Sequence, residues 1–360
     1  MKVFKIAFII IGAKIGAGFA SGKEIFEYFA KFGIKSLFFI PVLFFLFYFF
    51  TYTLLTFGSK LKKNNLKDAN NLLIKSIKIR KKNFNIFDIF MFVTFLILSA
   101  AMFTGLVTLF QIYFPICSKW LMYVIVLILT FVMIKISFKT ISSISYFIVP
   151  MIVIFIIINA TFTFTPNSFT TSLGFANIIT LPILTILYAT QNTFLASFVI
   201  IKAGANLSPF ERKKVSLIVS GVLCSLLTIG VLCFLFNPSL CHSSMPFAEI
   251  SKEINPIYSY IFGFIIFSSI LTTYATTITS LKEYFKNNQK YSEYIMLALI
   301  SFLSLIDFSH IIKYLYPIIG MFGFVYIYKA YITSNLSFKS FFKNTDNCIH
   351  TARKHTKYQS

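Results

Sequence analysis

The residues best suited to chemistry lie in three short apolar stretches. GAKIGAGFASGKEI places Gly12, Gly16, Gly18 and Gly22 within eleven residues and sets Lys14 among them. TILYATQNTF crowds Tyr188, Thr190, Gln191, Asn192 and Thr193 into six positions. FSSILTTYATTITS carries Ser268, Ser269, Thr272, Thr273, Thr276 and Thr277 as a hydroxyl stripe at helical spacing. Glycine weakens a helix and admits close approach to the backbone. In a membrane, an unwound stretch survives only where it lines a cavity or is buried in protein. The four glycines therefore read either as a discontinuous helix that faces a solute or as two GxxxG packing faces, Gly12-xxx-Gly16 and Gly18-xxx-Gly22. Lys14 favours the first reading. It lies eleven residues past Val3, about 16 Å along a helix, and an ionisable group that deep is by default functional. It could be a fixed cation, a titrating proton carrier, or a structural lysine held by carbonyls. The polar run in 188–193 is costly against lipid and should face a cavity or another helix. Pro182 could loosen the helix upstream. The hydroxyls of 268–277 suit a small cation, or simply bond back to their own helix. Ser99 and Thr104 are weaker candidates of the same kind.

Catalysis is not favoured. No paired carboxylates, HExxH, GxSxG or Cys/His constellation lies within an apolar segment. Asp307 and His310 are near neighbours, but at a segment boundary. None of the five cysteines forms a CxxC pair, so no metal or redox site is expected, and no cofactor. Cys224 and Cys233 read as small core residues. Cys117 and Cys241 share the outer side in the topology below, which leaves a disulfide between them open.

The elements that must position these residues are set by composition. Apolar residues make up 57% of the 360 positions and charged residues 12%, at a mean hydropathy of +0.81. A soluble domain needs about a quarter charged. Residues 140–201 contain no Lys, Arg, Asp, Glu or His. The chain therefore reads as an all-α integral membrane protein with lipid as its main solvent. Ten segments can be drawn, at 3–22, 36–57, 89–110, 120–134, 141–161, 177–200, 215–236, 257–280, 294–306 and 314–328. The N-terminus mimics a signal peptide, but Lys14 interrupts its apolar core, so it reads as a retained first helix.

Net charge is +22. If the N-terminus is cytoplasmic, 26 of the 33 Lys and Arg fall in cytoplasmic pieces and 6 outside, including Lys23, Lys31 and Lys35. That split puts both termini inside and supports an even number of spans. It also accounts for the basic composition, with no nucleic-acid reading motif present. The longest basic stretch, within 58–86, reads as a solvated loop or an amphipathic surface helix on the anionic inner leaflet. Residues 1–334 form a single membrane domain, with halves at about 1–161 and 177–331. A polar cytoplasmic tail follows at 335–360.

The stretch from Gly12 to Ile25 resembles the opening signature of the YkvI-like bacterial membrane proteins, remote relatives of the amino acid–polyamine–organocation transporters. Length, the ten-segment layout and the Tyr188-x-x-x-Asn192 spacing extend the resemblance. It implies a LeuT-type fold of two inverted five-helix repeats with broken helices 1 and 6, set in the bacterial plasma membrane. It also implies secondary active transport of a small amino acid or related amine. On that basis the backbone of Gly16, Ala17 and Gly18, with Tyr188, Gln191 and Asn192, faces the solute, and breaks are expected within 15–18 and 189–193. The carbonyls of Gly12 and Ile15 with the hydroxyls of Thr272 and Thr273 match a sodium site between helices 1 and 8. Sodium-coupled relatives carry an asparagine where Phe19 stands, and Lys14 brings positive charge to the remaining ion site. Proton coupling is therefore favoured over sodium, with Lys14 expected to point at Thr272 or Thr273. The alternative is an amino-acid-sensing subunit of the spore-germination type, without net transport. Partners are a small solute and the lipid bilayer; oligomeric state is left open.

Overall fold

The structure is a computed structural model. It describes residues 2–61, 70, 73, 77–79, 82–84, 86–135, 138–163, 169–171, 177–239, 243–284 and 289–334. Helix dominates. α1 (Lys2–Lys14), α2 (Ala17–Ala20) and α3 (Lys23–Tyr28) lead through 3₁₀-type turns at Ala30–Phe39 into α4 (Ile40–Gly58). α5 (Ile86–Tyr113), α6 (Lys119–Lys135) and α7 (Phe138–Thr163) complete the first half. The second half holds α8 (Leu181–Leu195), α9 (Ser197–Gly204), α10 (Pro209–Phe236), α11 (Pro246–Ile254), α12 (Pro256–Tyr284), α13 (Gln289–Leu303) and α14 (Phe308–Ser334). All ten segments drawn above contain helix.

Among the described residues, six helical stretches are long and apolar enough to cross a membrane: Ala30–Gly58, Ile86–Tyr113, Ile178–Leu195, Pro209–Phe236, Pro256–Lys282 and Phe308–Ser334. Two shorter apolar helices, Pro150–Thr163 and Tyr291–Leu303, stand beside them. Large apolar side chains such as Val132, Ile183, Phe264 and Phe324 point outward, which suits lipid and not water. Inside, α5 runs along α12, α4 packs on α9 and α10, and α1 lies between α7 and α10.

Four local expectations need correction. The helical path does not end at Gly22. The chain continues through α3, so Lys23 and Glu24 are buried instead of lying in an outer loop. The helix at 177–200 is unbroken within 189–193; it opens on a 3₁₀ turn at Ile178–Thr180 and is interrupted later, by the turn at Ala196 (φ −86°, ψ 1°). Pro182 sits in the first turn of α8, where a missing N–H costs nothing, so it leaves the helix intact. The basic stretch before α5 includes a two-stranded antiparallel hairpin, β1 (Ile77–Ile79) and β2 (Lys82–Phe84). Asn70 and Leu73, earlier in the same stretch, are helical, so the hairpin replaces the helical or loop reading only at its end. The tail at 335–360 lies outside the described residues.

Gly22 fixes how the chain turns from α2 into α3. Its φ of 84° is left-handed, and a Cβ there would meet the Phe247 ring at 3.0 Å. Phe247 opens the amphipathic helix α11, in a region read from sequence as outer loop. Its N–H donates to the Ser21 carbonyl at 3.0 Å. The turn is thus locked from both directions, by backbone conformation and by the helix laid against it.

Candidate functional site

α1 closes its last turn when the Ile15 N–H donates to the Ile11 carbonyl at 2.8 Å. Gly16 is then extended (φ −92°, ψ −172°), and α2 begins at Ala17. Any residue can adopt that conformation, so Gly16 is not needed for its torsions. Nor is it a packing glycine: a Cβ there would meet nothing closer than Thr273 Cγ2 at 3.9 Å.

The break separates two faces. On one, Gly12 and Ala13 of α1, Phe198 and Lys202 of α9, and Thr272, Thr273 and Thr276 of α12 line a cleft of about 330 Å³. Asn206 stands at the α9 end of this cleft, and its carbonyl accepts from Lys2 Nζ at 2.7 Å. Lys2 also lies 3.8 Å from the Glu211 carboxylate, whose capping box with Ser208 starts α10. Gly12, Thr272 and Thr273 are therefore brought together, while Ile15 is buried away from the cleft lining. The Thr272 hydroxyl donates to the Ser269 carbonyl at 2.9 Å, Thr276 to Thr273 at 2.7 Å and Thr277 to Tyr274 at 2.8 Å. Much of the hydroxyl stripe is thus engaged with its own helix.

Lys14 lies on the other face. Its ammonium donates to Thr51 Oγ1 at 3.0 Å and Thr193 Oγ1 at 3.1 Å, and sits 4.5 Å from the centroid of the Phe47 ring. The expectation that it reaches toward Thr272 or Thr273 is wrong, for a geometric reason. Residues two apart on a helix project about 200° from each other. If Gly12 faces α12, Lys14 must face α4 and α8.

The polar run in α8 fans out without breaking the helix. The Thr190 hydroxyl donates to the Gly320 carbonyl of α14 at 2.8 Å. Gln191 Oε1 accepts from the Tyr28 hydroxyl at 2.7 Å. Asn192 Nδ2 donates to the Tyr188 carbonyl at 3.2 Å. The Tyr188 ring packs on Tyr28 (4.9 Å between centroids), Phe29 (5.2 Å) and Phe47 (6.0 Å). The substrate-type residues are only partly gathered. Gly18 joins Tyr188, Gln191 and Asn192 through Glu24, whose side chain fills the space where a Gly18 Cβ would stand. Gly16 and Ala17 face α5 and α12 instead, near Met102, Gly105 and Thr273.

Sequence reading missed Glu24, Tyr28, Phe47 and Thr51. Glu24 and Tyr28 are four residues apart, one helical turn, so extending the helical pattern past Gly22 would have found them. Thr51 and Phe47 carry no such signal within their apolar helix. Cys241 lies outside the described residues, so its pairing with Cys117 is not addressed.

Comparison with known proteins follows the same outline. No family model matches the chain. Over 330 residues it is 22% identical to the uncharacterized membrane protein YkvI of Bacillus subtilis, covering 90% of this chain and 93% of that one. The chain resembles YkvI. The likeness to YkvI spans nearly all of both chains, and with the six long apolar helices it marks a multi-pass membrane protein. Among solved structures, an Eremococcus coleocola manganese transporter, in complex with an aromatic bis-isothiourea substituted compound, overlaps 94% of this chain and 86% of its own. The TM-score is 0.46 and the identity 11%.

Proposed function

We propose that the protein is a secondary active transporter of a small solute, an amino acid or related amine, working by alternating access in a bacterial plasma membrane with both termini cytoplasmic. One observation carries this reading. The first helix is interrupted at Ile15 and Gly16, with an open, largely apolar cleft edged by Lys202, Asn206 and threonine hydroxyls on one face and a buried polar cluster on the other. Broken helices that bring backbone and side-chain polar groups to a deep site are how many secondary transporters hold solute. Helices at matching positions of the two halves also pack together, α4 on α10 and α5 on α12. That pairing supports a LeuT-type inverted repeat of ten spans. The cleft extends from Lys202 and Asn206 to Gly12 and Thr273, and it offers a route from the cytoplasm.

Proton coupling fits the site better than sodium coupling. The ion-type position has Thr272 donating to its own helix, and a lysine stands on the same helix two residues past Gly12. Lys14, on the opposite face of α1, is a resident cation that ties the helix to α4 and α8 through Thr51 and Thr193.

Purified protein in sealed vesicles should accumulate at least one of a panel of labelled amino acids and amines when the proton gradient is directed inward. A one-to-one symport accumulates about tenfold per pH unit, since one pH unit is worth 1.36 kcal/mol. Accumulation driven by sodium at equal internal and external pH would overturn the coupling. No uptake under either gradient would overturn transport itself and leave the sensing alternative.

A further inference from the structure

We propose that Glu24 and Gln191 are the solute-recognition pair of this site, and that they select a primary amine that also carries a hydrogen-bond acceptor. The inference rests on the transporter reading above and names the group that the solute must present. Glu24 is 3% exposed and Gln191 fully buried. Each has one side-chain atom without a partner, Glu24 Oε2 and Gln191 Nε2. Buried polar atoms are almost always paired, so each such exception asks for an explanation. These two belong to one cluster. The Asn192 side chain lies beside Glu24, and Asn192 follows Gln191 in α8.

The orphaned atoms are complementary in kind. Tyr28 occupies the amide oxygen of Gln191 at 2.7 Å, which leaves the amide N–H group as an unmet donor. Glu24 offers an unmet acceptor. Among the described residues no cation pairs with it; the titratable groups around it are the hydroxyls of Tyr28, Tyr188 and Tyr316 and the Glu27 carboxyl. Glu27 itself is taken by Lys23 and Lys31, each at 3.5 Å. A carboxyl buried this way must carry its proton or meet a cation. A solute ammonium meets Glu24, its carbonyl or carboxylate meets Gln191, and the rings of Tyr28 and Tyr188 flank a cation favourably. An apolar solute would leave both atoms unpaired and would be rejected on that ground.

The test uses vesicles containing the full chain and pairs of probes that differ only in the amine: glycine against acetate, L-alanine against propionate, L-valine against isovalerate. The parent protein should take up at least one amino acid of the panel and neither its deaminated partner nor the other two acids. Glu24→Gln keeps the shape and removes the charge. It should lower that uptake at least tenfold while its melting temperature stays near the parent's. Gln191→Leu, which removes the donor, should raise the half-saturating concentration severalfold. Uptake by Glu24→Gln within twofold of the parent would overturn the assignment, as would equal handling of an amino acid and its deaminated partner. If the parent takes up none of these amino acids but does move a different class of solute, the amine assignment fails and transport stands. If it moves nothing, the transporter reading fails first.

Discussion

Replacing Lys14 with methionine is expected to abolish proton-driven accumulation while leaving a folded protein. The lysine ammonium ties α1 to α4 through Thr51 at 3.0 Å and to α8 through Thr193 at 3.1 Å, just before the helix break. It is therefore placed to couple movement of the first helix to the two helices beside the buried polar cluster. The fold loses little by the change. Two hydrogen bonds from a charged donor are worth about 1.5–3 kcal/mol each, but the desolvation cost of a buried ammonium, several kcal/mol, disappears with it. Both threonine hydroxyls can turn back to helix carbonyls. The net change should stay within about 2 kcal/mol. Lys14→Arg should also fail in transport, since a guanidinium keeps its charge at any accessible pH and presents a planar fork to a site shaped for a point charge. The check is accumulation under an imposed pH gradient, alongside thermal melting of the purified variants. Parent-like pH dependence in both variants would make Lys14 a structural residue.

The largest effect on stability is expected where α4 and α9 touch. A Cβ at Gly58 would lie 2.0 Å from the Ile201 carbonyl oxygen, and one at Gly204 would lie 2.1 Å from that of Leu55. Both obstacles are backbone, so no side-chain rotation relieves them, and the helices must separate. Small residues at such crossings let backbones approach closely enough for packing to hold helices together in lipid. Gly58→Ala and Gly204→Ala should each cost about 3 kcal/mol or more, at the upper end of overpacking penalties. Gly221→Ala is the control, because its nearest neighbour would be Phe44 Cε2 at 4.0 Å. In detergent, the two crossing variants should show lower melting temperatures and less monodisperse protein, and Gly221→Ala should match the parent. Parent-like melting of Gly58→Ala would mean that α9 is not seated against α4 as described. Because α9 carries Phe198 and Lys202, any displacement also reshapes the cleft wall.

Much of the fold could be read before the structure. Lipid demands long apolar helices whose backbone bonds are satisfied internally, and that demand writes itself into sequence as uncharged stretches. The break after Lys14 was legible too, because glycines and a lysine are both costly inside an apolar helix. The expected break in α8 was not found, and the reason is instructive. Polar side chains need partners, but they need not take them from their own backbone. Thr190, Gln191 and Thr193 each find one on a different helix, and α8 runs through undisturbed. The direction of Lys14 was also out of reach, since it depends on where α4, α8 and α12 stand around α1. Glu24 was hidden by its neighbours. Set between Lys23 and Glu27, it read as part of a charged loop, and only the path of α3 back into the bundle shows it buried.

Transport and sensing are separated most directly by counterflow. Vesicles loaded with an unlabelled amino acid identified in the uptake panel, then diluted into a trace of the same labelled compound without any ion gradient, should show a transient internal overshoot of label. The overshoot should vanish when the internal pool is omitted. A subunit that binds the solute without moving it gives a flat trace that matches protein-free vesicles, and that result would contradict transport through the broken first helix.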